Sequence, residues 1–146
     1  MLNGKVVVVT GANGALGRVA AEVAAGHGAE VVGLDLRFDG APSARQHAVD
    51  LTDAAATAAT LAAVGRIDVV LNIAGGFDMG PAVHETTPEQ WAHMTRMNVD
   101  TARNVIAAVV PGMLARGRGS IVNVGALSAR EGQANMGAYC VAKSTV

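Results

Sequence analysis

A tyrosine and a lysine four positions apart, Tyr139 and Lys143, form the pair best suited to chemistry in this sequence. Residues at positions i and i+4 share one face of an α-helix, and an ammonium group beside a phenol stabilises the phenolate. Such a tyrosine can give or take a proton at a carbonyl or alcohol oxygen. Tyr139 is also the single tyrosine of the chain. The pair therefore predicts proton transfer at an oxygen while hydride moves at the neighbouring carbon.

A glycine-rich turn near the N-terminus predicts a site for a pyrophosphate. Residues 10–17 read TGANGALG, follow a short apolar run and open a helical pattern. Glycines let the backbone turn tightly and approach a phosphate, while a helix N-terminus supplies free N–H groups and positive charge. No Gly-Lys-Ser/Thr follows, so the segment is not a Walker loop. A strand-to-helix turn without a ligand is the alternative interpretation.

An acidic residue at the end of the second apolar run, Asp35, indicates which dinucleotide would bind. A carboxylate at this place can accept hydrogen bonds from both hydroxyls of the adenosine ribose, and it would repel a 2′-phosphate. Asp35 therefore favours NAD over NADP, although Arg37 weakens that preference slightly. A solvated acid in a loop is the alternative here.

An alternating α/β fold is needed to bring these residues together. Short β-branched runs alternate with helical patterns, which predicts a doubly wound parallel sheet of Rossmann type with strand order 3-2-1-4-5. Residues 1–146 are expected to form a single NAD(P)-binding domain. Strands are expected at 6–9, 30–34, 46–49, 67–73 and 120–124, and helices at 15–27, 54–64, from 87, over 99–115 and from 137. Asp53 and Thr87 are plausible helix starts, and Pro111 should kink the fourth helix or break it near its end.

Composition narrows the class of protein further. The chain has 146 residues, of which 51% are hydrophobic but only 3% aromatic, and its net charge is −1. A core of small aliphatic residues suits a buried parallel sheet, and the lack of a like-charge block argues against nucleic acid or a membrane surface as partner. The first apolar run is too short for a signal peptide or a membrane span. With one cysteine, Cys140, and no metal-ligand spacing, we expect a cytoplasmic protein without a metal or disulfide.

Taken together, the motifs resemble those of the short-chain dehydrogenase/reductases. The resemblance covers essentially the whole chain. It rests on the glycine turn, Asp35, Asp50-Leu51-Thr52, Asn72-Ile73-Ala74-Gly75, Asn98-Val99, Ser120-Ile121-Val122-Asn123-Val124 and Tyr139-x-x-x-Lys143. It implies an NAD(H)-dependent oxidoreductase that interconverts a secondary alcohol and a ketone.

The same resemblance implies a role for each matched residue. Tyr139 would be the catalytic acid/base, Lys143 would bind the nicotinamide ribose, and Asn98 would support a proton-relay water near the lysine. The implied cofactor-binding residues are Gly11, Asn13, Leu16 and Gly17 at the pyrophosphate, Asp35 at the adenosine ribose, Asp50 and Leu51 at the adenine, and Asn72, Ala74, Gly75 and Lys143 further along the cofactor.

Three departures from the family pattern bear on function. Ala15 replaces the middle glycine of the compact branch, although the remaining motifs favour that branch over the extended one. Ala126 occupies the position of the substrate-orienting serine, and Ser128 could replace it if the segment is extended, since alternate residues then share a face. The chain is shorter than family members, so the C-terminal part of the family fold is expected to be missing.

Two other functions compete with the enzyme. A degenerate member could hold or sense NAD(H) without turnover, as Ala126 suggests, and a non-catalytic oligomerisation fragment is the third possibility. The helix expected over 99–115 is apolar on nearly every side, which predicts burial against the sheet on one side and a subunit interface on the other. We therefore expect a homodimer or homotetramer acting on a small-molecule alcohol or ketone.

Overall fold

Five parallel strands with helices on both faces make up the computed structural model, which describes residues 1–146. The strands are β1 (Val6–Thr10), β2 (Glu30–Asp35), β3 (Gln46–Ala48), β4 (Val69–Asn72) and β5 (Ser120–Asn123). The α-helices are α1 (Ala15–Gly26), α2 (Ala54–Val64), α3 (Pro88–Thr95), α4 (Thr101–Ala115) and α5 (Gly137–Thr145). The sheet order is β3-β2-β1-β4-β5 and every pairing is parallel. The predicted Rossmann-type topology is confirmed.

The central strand β1 is buried along its whole length. Because side chains alternate across a strand, its valines enter two separate cores. Val6 and Val8 join the larger cluster, which α2 and α4 cover, whereas Val7 and Val9 join a smaller one with Ala24 of α1. Burial of both faces explains why β1 reads as a continuous apolar run rather than an alternating one.

Helix starts follow the expected capping chemistry at α2 and α3. The Asp53 carboxylate accepts hydrogen bonds from the backbone N–H groups of Ala55 and Ala56, both at 2.9 Å. Thr87 and Gln90 form a capping box, with Pro88 as the first helical residue. By contrast, α1 begins after Gly14 without any side-chain cap. The first-turn N–H groups of α1 are therefore open to another acceptor.

Pro111 lies inside α4 and does not end it, since the helix continues to Ala115. Pro111 therefore does not break the helix, and the alternative, a kink, stays a prediction. Val105, Val109 and Met113, spaced four residues apart, all belong to the main core. Pro111 itself is exposed, so the carbonyl that loses its N–H partner lies on the side where water can replace that bond. Packing of the buried stripe holds the helix together.

Strand β4 begins at Val69, two residues later than the sequence predicts, and Asp68 immediately precedes it. The buried Asp68 carboxylate accepts the N–H of Val6 at 2.9 Å and lies 3.1 Å from Arg66 Nη2. The Val6 hydrogen bond lowers the pKa of Asp68 below its ordinary value of 3.8, against the opposing effect of burial. Asp68 thus ties the start of β4 to β1.

Two further properties concern the chain as a whole. None of its helices combines the length and apolar character needed to cross a bilayer. Nor does the structure group three or more His, Cys, Asp or Glu side chains in a way that could hold a metal ion.

Candidate active site

Two glycines of the β1–α1 turn are required by close backbone contacts. Gly11 has a positive φ of 64°, and a Cβ atom there would lie 3.0 Å from the backbone of Ala74. At Gly17 a Cβ atom would lie 2.0 Å from the carbonyl oxygen of Gly11, which is far inside contact distance. The two glycines therefore let α1 start directly against the end of β1 and let the turn approach β4.

The turn and the ends of β2, β3 and β4 enclose a cleft of about 530 Å³. The uncapped start of α1 borders this cleft, and its free N–H groups favour an anion such as a pyrophosphate. Of the predicted cofactor residues, the cleft brings together Gly11, Asn13, Leu16, Gly17, Asp35, Asp50, Leu51, Ala74 and Gly75. Lining residues that the sequence analysis did not single out for binding include Leu36, Val49, Ile73, Met97 and Thr101.

Asp35 is positioned by the glycine turn itself. The backbone N–H of Asn13 donates to Asp35 Oδ2 at 2.9 Å, and Oδ1 receives no hydrogen bond from the protein. Arg18 Nη2 donates to Asn13 Oδ1 at 2.7 Å and also pairs with Asp39. The half-buried Asp35 carboxylate is therefore held in place with one oxygen available to a ligand in the cleft.

Thr10 has a positioning role that the sequence analysis missed. Its buried hydroxyl oxygen accepts hydrogen bonds from the N–H groups of Ile73 and Ala74, each at 3.0 Å. These bonds hold the segment after β4 against the end of β1, where both lie beside the cleft. The sequence does show a hydroxyl residue at the end of a predicted buried strand, and this feature could have indicated the role of Thr10.

Asn104 was also missed, although it is an unexpected amide in an apolar helix. Its Nδ2 donates to the carbonyl oxygens of Leu51 and Thr52, which lie in the loop after β3. That loop forms the cleft wall where the adenine is expected, and Asp50 stabilises it internally by accepting from Thr52. Asn104 therefore links α4 to the wall of the cleft.

Asn72, like Lys143, does not line the cleft that the other predicted cofactor residues share. Its Nδ2 donates to Asn123 Oδ1 at 2.9 Å and so joins β4 to β5. Its Oδ1 is buried and has no hydrogen-bond partner. Asn72 contributes to the sheet at this point, and its contact with a cofactor stays a prediction.

Asn98 lies in a π-helical turn, Arg96–Asp100, between α3 and α4. The buried side chain makes a closed set of hydrogen bonds: Oδ1 accepts from Gly76 N–H at 3.2 Å, and Nδ2 donates to the carbonyl oxygens of Gly76 and Met94 at 3.0 and 3.1 Å. The widened turn agrees with the helix disruption that the family resemblance implies. It places the amide against the loop after β4.

Lys143 reaches the same loop from α5. Its Nζ donates to the carbonyl oxygen of Val124 at 3.0 Å, and burial lowers the pKa of its ammonium group below 10.5. A Cβ atom on Gly75 would lie 2.7 Å from Asn98 Oδ1 and 3.3 Å from Lys143 Nζ. Gly75 also lines the cleft. Asn98 and Lys143 therefore converge at Gly75, on the border of the cleft.

Tyr139 is half-buried one helical turn before Lys143, and its ring meets that of Phe77 edge to face. The centroids are 5.0 Å apart and the planes are at 89°. Packing of Ala138 and Ala142 of α5 with Met94 of α3 sets the position of this helix face. The structure thus places Tyr139 and Lys143 on one element, as predicted from their spacing.

The position of the family serine remains without a hydroxyl group. Ala126 is extended, but the chain then turns into a short 3-10 helix, Leu127–Ala129. The extended segment on which the Ser128 alternative depended is therefore absent. Ser128 is half-buried and makes no hydrogen bond to Tyr139.

A family model described as short chain dehydrogenase matches residues 5–146. The chain belongs to the short-chain dehydrogenases. Two curated members of this family illustrate the similarity. Sorbitol dehydrogenase of Cereibacter sphaeroides is 34% identical over 158 residues, and 2-keto-3-deoxy-L-fuconate dehydrogenase of Xanthomonas campestris is 37% identical over 153 residues. Each alignment covers 99% of this chain.

Among solved short-chain dehydrogenase structures, NAD⁺-bound xylitol dehydrogenase superimposes with a TM-score of 0.91 at 29% identity. The superposition covers 99% of this chain and 61% of that one. The chain likewise covers 61% of the sorbitol dehydrogenase and 51% of the fuconate dehydrogenase. It therefore spans a little over half the length of these relatives.

Proposed function

We propose that this short-chain dehydrogenase is an NAD(H)-dependent oxidoreductase that interconverts a secondary alcohol and a ketone. The observation that carries the proposal is the convergence of Asn98 and Lys143 at Gly75. Gly75 belongs to the wall of the glycine-bordered cleft, so the proton-transfer residues adjoin the end of a dinucleotide-sized site. Relatives named as sorbitol, galactitol and threitol dehydrogenases support action at a CH–OH group.

The residues of the cleft fit a dinucleotide. The neighbouring backbone leaves no room for a side chain at Gly11 or Gly17, so the turn stays open to a ligand's phosphates. The uncapped N-terminus of α1 offers N–H groups to a pyrophosphate. Asp35 Oδ1 would accept from the adenosine ribose, and Lys143 would bind the nicotinamide ribose. We propose NAD rather than NADP because a 2′-phosphate would meet the Asp35 carboxylate, and the NAD⁺-bound xylitol dehydrogenase supports this.

In the direction of alcohol oxidation, the bound nicotinamide would accept the hydride that leaves the carbinol carbon with its electron pair. Tyr139, as phenolate, would take the hydroxyl proton while the C–O bond becomes a carbonyl. The positive charge of Lys143 would stabilise that phenolate. Asn98 would hold the loop at Gly76 and support a relay water that returns the proton to solvent. In the reverse direction, Tyr139 would give its proton to the ketone oxygen.

The test compares the chain with its Tyr139→Phe variant. We expect the chain to consume NADH with a ketone from a panel, and the variant to lose turnover while its NADH affinity in calorimetry is unchanged, because the phenol acts on substrate. Ordinary activity in the Tyr139→Phe variant would refute the assigned acid/base. NADH binding without turnover on any ketone would favour the alternative below.

The alternative is a non-catalytic NAD(H)-binding or sensing module of the same fold. Ala126 favours it, because no hydroxyl group at this position donates to a substrate oxygen. Binding of NADH by the chain is common to both functions, so only turnover separates them. If the chain neither binds NADH nor turns over, both functions are wrong.

We also propose that α4 mediates a homodimer or homotetramer. Its buried stripe faces the sheet, while Ala107, Pro111 and Leu114 remain exposed on the opposite side. These apolar side chains would be covered by the same helix of a second copy. Sedimentation velocity measurements on the chain and on its Leu114→Lys variant test the proposal, and a monomeric chain would contradict it.

A further inference from the structure

Phe77 is an aromatic residue exposed beside the proposed acid/base. The residue is 60% exposed, yet its ring is in edge-to-face contact with that of Tyr139. Phe77 lies in the loop after β4, two residues beyond Gly75, which lines the cleft and adjoins Asn98 and Lys143. A fixed aromatic ring with an open surface, next to the group that handles the substrate proton, is placed to contact the substrate.

The loop that carries Phe77 is tied to the segment that precedes Tyr139. The N–H of Gly80 donates to the carbonyl oxygen of Asn135 at 2.8 Å. Asn135 has a left-handed φ of 60°, a conformation that asparagine tolerates better than most residues. Gly137 leaves room for Val83, which a Cβ atom there would approach to 2.9 Å. These contacts tie the loop that carries Phe77 to the segment before Tyr139.

The exposed residues that flank this ring along its loop are mainly apolar. Met79 and Val83 expose apolar side chains, and Ala126 lacks the hydroxyl group of the family pattern. The polar side chains beside Tyr139 line a separate recess, which measures only about 20 Å³ and so has room for one water but not for a polyol; they are Asp78, Thr86, Gln90 and Asn135. Every hydroxyl group that a substrate buries without a partner weakens its binding.

We propose that Phe77 forms one wall of the substrate site and that the group next to the reacting carbon is flat and apolar, as in an aryl alkyl carbinol and its ketone. The proposal rests on the proposed function, because it takes Tyr139 as the acid/base. It differs from the polyols after which several relatives are named. An aryl group would pack on the open surface of Phe77 while its carbinol oxygen lies at the Tyr139 hydroxyl.

The single tyrosine makes a direct test possible. In a chain labelled with ring-¹³C tyrosine, NMR shows one residue's ring signals, those of Tyr139. The NADH complex is titrated with 1-phenylethanol and, separately, with D-threitol, since an alcohol cannot be reduced and no turnover interferes. We expect 1-phenylethanol to shift the Tyr139 signals at a concentration about tenfold lower than D-threitol does.

Variants of Phe77 and one control identify the wall. Phe77→Ala should raise the half-saturating concentration of 1-phenylethanol about tenfold, and Phe77→Trp should restore binding because it supplies another aromatic surface. Because the side chain is largely exposed, thermal melts should show that the alanine variant is folded. Val23→Ala, which shortens an exposed apolar residue on α1, should change the half-saturating concentration of neither alcohol.

The possible results separate this inference from the function on which it rests. If D-threitol binds as well as 1-phenylethanol and Phe77→Ala changes neither, the inference is wrong and the oxidoreductase proposal stands. If NADH binds but neither alcohol shifts the Tyr139 signals, the inference is wrong, and turnover with the ketone panel decides the oxidoreductase proposal. Preference for 1-phenylethanol, lost in Phe77→Ala and kept in Phe77→Trp, supports the inference.

Discussion

Asn104 Nδ2 lies 2.9 Å from the carbonyl oxygen of Leu51, and the same nitrogen is 3.2 Å from that of Thr52. The side chain is only 6% exposed, so water does not compete for these hydrogen bonds. Through this amide, a helix on one face of the sheet holds the loop at the end of the cleft where we propose that the adenine binds. Asn104 would therefore be a positioning residue for the proposed cofactor.

We expect Asn104→Ala to weaken NADH binding about tenfold, because two buried carbonyl groups lose their donor and the loop loses its anchor, at a cost of about 1–3 kcal/mol. Calorimetry with NADH and with reduced nicotinamide mononucleotide, which lacks the adenosine half, is the measurement. The mononucleotide should bind both proteins equally. Arg103→Ala, at the exposed neighbouring position, is the control. If the substitution weakens the binding of both ligands equally, Asn104 supports only the fold.

Asp35 should make NAD(H) the preferred cofactor. Its position is set by the Asn13 N–H, and its carboxylate would lie close to a 2′-phosphate in a partly desolvated cleft. Asp35→Ser is expected to weaken this preference, so that the dissociation constant of NADPH divided by that of NADH falls about tenfold. Glu22→Gln, which removes an exposed negative charge on α1 away from the cleft lining, should leave the ratio unchanged. NADPH binding as tight as NADH binding in the unaltered chain would contradict the assignment.

Lys143→Met should reduce both NADH affinity and turnover without lowering the thermal stability. Burial lowers the pKa of this ammonium group in the folded state, so its charge opposes folding below that pKa. Between the folded and unfolded pKa values, the unfolded chain binds more protons, and stability therefore rises with pH across that interval. In urea unfolding, the stability of the Lys143→Met variant should not show this rise with pH. A lower melting temperature would mean that the bond to Val124 outweighs the desolvation of the charge.

Ala126→Ser should raise turnover, whereas Ser128→Ala should leave it unchanged. Removing one hydrogen-bond donor to a developing charge typically costs on the order of 10²–10³ in rate, so restoring the family hydroxyl group should raise kcat by at least about tenfold. Ser128 lies in the 3-10 turn and makes no bond to Tyr139. Steady-state kinetics on the two variants provide the measurement. Loss of activity in Ser128→Ala would show that this hydroxyl group does reach the substrate.

Asp68 should make the free energy of unfolding depend on pH in the acid range. Its folded-state pKa is lowered, chiefly by the Val6 N–H, so its contribution is fully present above the ordinary value of 3.8 and is lost as the pH falls through the lowered folded value. Asp68→Asn keeps an oxygen for the Val6 N–H but cannot titrate. The urea midpoint of the Asp68→Asn variant should therefore fall less, as the pH is lowered through this range, than the midpoint of the unaltered chain. The same acid dependence in both proteins would assign it to other carboxyl groups.

Several features were predictable because their causes are local in sequence. The apolar β-branched runs and the intervening helical periods determine the parallel α/β architecture, since both faces of such strands must be covered. Asp53 and Thr87 mark helix starts because a cap acts within three residues. The pairing of Tyr139 with Lys143 follows from helical geometry alone. In each case, the interaction is complete within one element or one turn.

Other features depended on which elements pack together. The edge contact between Phe77 and Tyr139, the convergence of Asn98 and Lys143 at Gly75, and the bond from Asn104 to Leu51 all join residues from separate elements. Packing likewise decided that α4 continues through Pro111, because its buried stripe outweighs one lost hydrogen bond, and that the chain turns after Ala126 instead of continuing as an extended segment to Ser128. The sequence thus determined the kinds of element and their order, whereas distances across the site followed from sheet and helix packing, in which many distant contacts act at once.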